Sequence, residues 1–200
     1  MNPQLKKLNN FEKLVQVVNY VLQKYNYELN YTKLIKILYI ADRECLDKWN
    51  FAISGDSYCL MKQGPVLSGL YDFIRNSPAC DPIQKMHWNI LFKKRDYDLV
   101  SLSRRNCHHD GLSDYDELSD GEMKIMDDVD AKYHDKDWNY LVDNVVHEFL
   151  EWKNHQPCEK GSIPLKKETI LKALYKSDAE IEEILEVENA VESLRQDLAK

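Results

Sequence analysis

Residues 32 to 49 constrain this chain more than any other stretch. There Leu34, Ile35, Ile37, Leu38, Tyr39, Ile40 and Ala41 stand in nearly unbroken apolar order. Wound as a helix, they cover most of the circumference and leave a narrow polar stripe through Lys33, Lys36, Arg43 and Asp47. A helix that is apolar on almost every side has to be wrapped by other elements. The pattern therefore predicts a central buried helix, and the rest of the chain is read as its covering.

The covering is helical in its clearest parts. Phe11, Leu14, Val15, Val18, Leu22 and Tyr25 fall on one stripe of a 3.6-residue period, with Asn9 or Asn10 as the cap. After the turn cluster Ser54-Gly55-Asp56, Ser57 to Lys62 reads as a short strand. Gln63-Gly64-Pro65-Val66 reads as a turn, because the residue before a proline is driven from helical geometry. Leu67, Leu70, Tyr71 and Ile74 make one face of a short helix, ended by Ser77-Pro78 and Asp81-Pro82. From Met86 to Phe92 and from Tyr97 to Leu102 the residues suit a small β element turning at Lys94 to Asp96, and His108 to Glu117 suits a polar loop. Ser119-Asp120-Gly121-Glu122 and Ser177-Asp178-Ala179-Glu180 are both capping boxes. The first opens a helix through Met126, Val129 and Tyr133. A single stripe from Trp138 through Leu141, Val142, Val145 and Phe149 to Trp152 predicts the next. Lys166 to Tyr175 is a short helix, and the second capping box opens a Glu-rich C-terminal helix.

The expected fold is thus mainly α: a compact helical domain around a central buried helix, with a small β element and a C-terminal helical extension. Two hundred residues, 44% apolar and 30% charged, suffice for one core, and six Gly with six Pro are few for a turn-rich sandwich. The proline-broken linker places the domain at residues 1–155 and the extension at 156–200.

A net charge of −7 disfavours general nucleic-acid binding, since phosphates must be met by surplus Lys and Arg. Charge is uneven: residues 110 to 151 are acidic and residues 83 to 109 lean basic. Both can be solvated faces; the acidic one also suits a basic partner. Direct DNA reading by residues 164 to 198 is disfavoured, because the last helix carries Glu where a recognition helix carries Arg, Lys, Asn or Gln. The five cysteines form no C-x-x-C pair. With neither an apolar signal core nor a membrane-length apolar run, the expected compartment is a reducing cytoplasm.

No chemistry follows from the motifs. Cys107-His108-His109-Asp110 has metal-ligand residue types, but His134, His147, His155 and Cys158 stand at no metal-binding spacing from them or from one another. G-x-S-x-G, the P-loop and G-x-G-x-x-G are absent from the sequence. Adjacent acids such as Asp127-Asp128 do not face each other on a helix. No catalytic residue, metal or cofactor is expected.

The ordered set Lys36-Ile37-Leu38-Tyr39-Ile40-Ala41, Ile53 to Asp56, Tyr58, Gly64-Pro65-Val66 and Leu70-Tyr71 resembles the SocA-like antitoxin domain, also called Panacea. Leu118-Ser119 with Glu122, Val129 and Tyr133, then Leu141, His147 and Trp152, extend the resemblance over roughly residues 11 to 152. Two positions depart from the pattern: Val146 stands where a small hydroxyl residue is usual, and Glu151 where a proline commonly precedes the Trp. The resemblance implies function by binding, namely neutralisation of a co-encoded protein toxin. One branch of the family instead delivers its toxin to an ATP-dependent protease, and members occur in phages and prophages. The alternative function is accordingly a proteolytic adaptor or general interaction module. The residues expected to touch the partner are Lys62, Gln63, Arg75, His147 and Trp152.

Overall fold

The structure is a computed structural model in which residues 10–102, 115–155 and 161–198 are described, residues 192 and 195–198 by their backbone alone. Cys107, His108, His109 and Cys158, weighed above as metal ligands, and most of the expected polar loop fall outside the described residues.

The chain is mainly helical. Helix α1 (Phe11–Lys24) leads through strand β1 (Glu28–Asn30) into α2 (Tyr31–Trp49). A hairpin of β2 (Tyr58–Met61) and β3 (Gly64–Leu67) feeds α3 (Ser68–Ile74), and α4 (Pro82–Leu91) feeds a second hairpin, β4 (Phe92–Arg95) and β5 (Asp98–Ser101). Then come α5 (Asp120–Tyr133), α6 (Trp138–Asn144), a 3-10 turn (Val146–Glu148), α7 (Leu150–Lys153), β6 (Ile163–Leu165), α8 (Lys167–Ala173) and α9 (Asp178–Leu198).

Helix α2 starts where the Asn30 side chain accepts from the amides of Thr32 and Lys33, and stops at Asn50, whose φ of +66° only a few residue types tolerate. Leu34, Ile37, Leu38 and Leu46 are buried, and α2 touches α1, α3, α5, α6 and α8. Part of its polar stripe is buried too. Lys33 donates to the His134 carbonyl and Lys36 to the Pro65 carbonyl.

Among the described residues, the β structure forms two three-stranded antiparallel sheets, ordered β1-β5-β4 and β3-β2-β6. Glu28 pairs Val100 in the first; in the second, Tyr58 pairs Leu67 on one side and Leu165 on the other. The expected turn at Gly64-Pro65-Val66 is in fact strand β3, and the chain reverses at Lys62-Gln63. Pro65 is compatible with a strand because β3 lies at the sheet edge.

Three further expectations are corrected. Residues 82–91 are helix rather than strand: Asp81 accepts from the amides of Ile83 and Gln84, and Pro82 occupies the first turn. The stripe from Trp138 to Trp152 is three short elements, broken where Val145 takes φ −126° and ψ −71°. Adjacent Val145 and Val146 are poor helix formers, and the break buries both. Asn10 stands at the start of α1 but makes no side-chain cap bond. Both capping boxes form as the sequence predicts. Among the described residues, no helix is long and apolar enough to cross a membrane.

Candidate functional site

The most organised polar chemistry lies beneath the β2–β3 hairpin. Asp42, buried on α2, accepts from the Ser54 amide at 2.8 Å, from the Ser54 hydroxyl and from the Tyr58 hydroxyl at 2.9 Å. Burial pushes its carboxyl above the ordinary range, and those three donors, with the Ile53 backbone, pull it back. Asp56 accepts from the amides of Ser57, Gly69 and Leu70, which ties the loop to the first turn of α3. Its carboxyl is also raised by burial, to about 6.

On the next turns of α2, Tyr39 and Arg43 both donate to Glu151 Oε1, at 2.9 and 2.8 Å. The Glu151 side chain is fully enclosed. The Glu151 carboxylate is thus the anchor of α7 on α2. Val146, at the hydroxyl position, packs against Gly64. A Cβ on Gly64 would come within 2.6 Å of Val146 Cγ2 and 3.5 Å of Lys36 Nζ, and Gly64 has φ +93°. Hairpin, α2 and 3-10 turn therefore meet at one glycine.

Lys36 is fully buried and donates to Pro65 O at 2.8 Å. Burial lowers its ammonium to about 7, with Cys59 opposing weakly. A base depressed in the folded state binds fewer protons there than in the unfolded chain between those two values. Stability is therefore expected to rise as pH increases from about 7 towards the unfolded lysine value of about 10.4. Urea titrations across that window should show the rise in the native chain and a flatter profile in Lys36→Met. An unchanged slope in the variant would refute the assignment.

The five residues expected at the partner surface lie around the same hairpin. The His147 and Trp152 rings stack at 3.7 Å, and Trp152 Nε1 donates to Met61 O at 3.3 Å. His147 is shifted below the usual imidazole range by burial, against the opposing influence of the Lys62 backbone and Asp143. Its Nε2 is buried and closes no hydrogen bond of ordinary geometry among the described residues. Lys62 and Gln63 are exposed and border a hollow of about 220 Å³ with Tyr31, Ile35, Met61 and Tyr71. Arg75 lies 5.1 Å from the Tyr71 ring centre, so it joins this face through Tyr71. No described contact links Arg75 to His147 or Trp152.

Asp42, Ser54, Asp56 and Glu151 are not among the residues expected from the sequence at a functional site. Their signals were indirect: Asp42 adjoins the buried stretch of α2, Ser54 and Asp56 lie in the Ile53–Asp56 motif, and Glu151 departs from the expected proline. Among the described residues, no three His, Cys, Asp or Glu side chains cluster as a metal site would require.

Together these features define a helical fold braced from inside by carboxylates and a buried lysine, in which the β2–β3 hairpin exposes its turn residues Lys62 and Gln63 while its strands are largely buried. A family model described as antitoxin SocA-like, Panacea domain, matches residues 34–153, more than half of the chain, and the chain belongs to that family. The match starts in α2 and ends with α7, so β6, α8 and α9 lie outside it. No curated protein and no solved structure matches the chain.

Proposed function

We propose that this protein is an antitoxin that neutralises a co-encoded protein toxin by direct binding in the cytoplasm, without catalysing a reaction. The observation that carries the reading is the family match over residues 34–153. The buried polar groups add support. Asp42, Asp56, Lys36 and Glu151 are engaged with backbone or side-chain partners that fix the fold, which is the use expected of a binding scaffold. In this reading a helical body built around α2 displays the β2–β3 hairpin, and Lys62, Gln63, Arg75, His147 and Trp152 form the contact face.

Co-expression with the product of the adjacent gene is the direct test. Growth rescue together with a stable complex is expected; neither rescue nor complex would remove the reading. The contact face has its own test. Because Lys62, Gln63 and Arg75 are exposed, a Lys62→Glu/Gln63→Glu/Arg75→Glu triple variant should change stability by only about 0.5 kcal/mol per site. It should weaken the toxin complex about tenfold or more, as two reversed charges and one added charge at an interface do. Full rescue by the triple variant would move the contact elsewhere.

A further inference from the structure

A hollow of about 760 Å³ lies away from the hairpin, between α9 and the segment following α2. One wall is Trp49 and Phe51, stacked at 5.9 Å and each 42% exposed. Trp49 is seated by Gly121 at the start of α5, where a Cβ would come within 2.8 Å of the ring. The other wall is α9. Ile181 and Ile184 bury its first turns, but Val187, Val191 and Leu194 stay 59%, 42% and 64% exposed. Ile184, Val187, Val191 and Leu194 follow the three-four spacing of a coiled-coil seam. Such a stripe is normally covered by another helix.

Charge decides which helix. The rim carries Glu117, Glu180 and Glu183. Two further glutamates, Glu122 and Glu188, are already paired with Lys13 and Lys167. A second copy of α9 on this seam would set glutamates such as Glu183 against their equivalents, and like charges flanking a seam oppose pairing. Lys and Arg in those places would be attracted. From Glu180 to Val191 the groove runs ~16 Å along the helix, room for about three turns.

We propose that this groove receives an amphipathic helix of the partner protein, apolar at heptad spacing and flanked by Lys and Arg. The inference rests on the reading of the chain as a protein-binding antitoxin, and it assigns α9, outside the family match, a recognition role of its own.

The probe is a fluorescein-labelled helical peptide of about 20 residues, with Leu at the seam positions and Lys at the flanks. Its control carries Glu at the flanks. The full chain is expected to bind the Lys peptide about tenfold or more tightly than the Glu peptide, and less tightly as salt increases. Val187→Glu/Val191→Glu should weaken binding about tenfold or more at an unchanged thermal midpoint. Trp49→Phe should remove the change in tryptophan emission caused by the peptide. Equal binding of both peptides overturns the proposal, as does full binding by the double variant. A dimer of the protein abolished by the same double variant would assign the stripe to a second copy and also overturn it. Since the peptide assay needs no toxin, failure of the toxin complex would count against the antitoxin reading and leave the groove to its own result.

Discussion

Asp42→Ala is expected to lower the unfolding free energy by about 3 kcal/mol, seen in urea as an earlier midpoint at unchanged slope. The carboxylate is the common acceptor for the Ser54 amide, the Ser54 hydroxyl and the Tyr58 hydroxyl, all within the buried interior. Alanine strands three donors at once, and each unsatisfied buried group costs about 1–3 kcal/mol. Part of that loss is offset because burial disfavours the carboxylate itself and raises its pKa. Asp42→Asn retains one acceptor oxygen but turns an NH2 towards donors, so it should fall between the two. A loss below about 1 kcal/mol in the alanine variant would mean that water reaches these groups and that the network does not brace the hairpin.

Gly64→Ala should cost about as much, by a different mechanism. At φ +93° a side chain is strained by about 1–3 kcal/mol, and crowding of a packed interior adds about 1–3 kcal/mol more. The crowding partner is Val146 Cγ2, 2.6 Å from the would-be Cβ. Gly64→Ala/Val146→Ala should therefore recover part of the loss, the coupling expected of touching residues, while the backbone strain remains. Complete recovery would show that φ is relaxed at no cost; no recovery would show that Val146 is not the obstacle.

What the sequence made legible follows from which forces act locally. The apolar circumference of residues 34–41 and the two Ser-x-x-Glu boxes signal helices through interactions spanning a few residues, and those elements are present. Residues 82–91 misled because Ile83, Met86 and Ile90 are exposed on α4, so their apolar character does not mark a buried face. Asp81-Pro82, a stop signal for the preceding helix, begins this one. Strands β1 and β6 were invisible for another reason. Each is three residues long and exists through pairing with β5 or β2, partners far away in sequence. The family pattern carries His147 and Trp152, and through Gly64-Pro65-Val66 it points to the neighbouring Lys62 and Gln63. It could not show that Glu151, at an atypical position, pairs with Arg43 across the interior.

The pairing of β6 with β2 has a mechanical consequence. Strand β2 lies in the middle of its sheet, with β3 on one flank and β6 on the other. A motor that grips the chain beyond α9 and draws it in must peel β6 from β2 before its tension reaches the β2–β3 hairpin. Tyr58 and Leu60 on β2, matched to Leu165 and Ile163 on β6, form the latch in that line of pull. The order of unravelling is therefore set from the carboxyl side, with the hairpin and its buried Asp42 yielding after the strand that guards them.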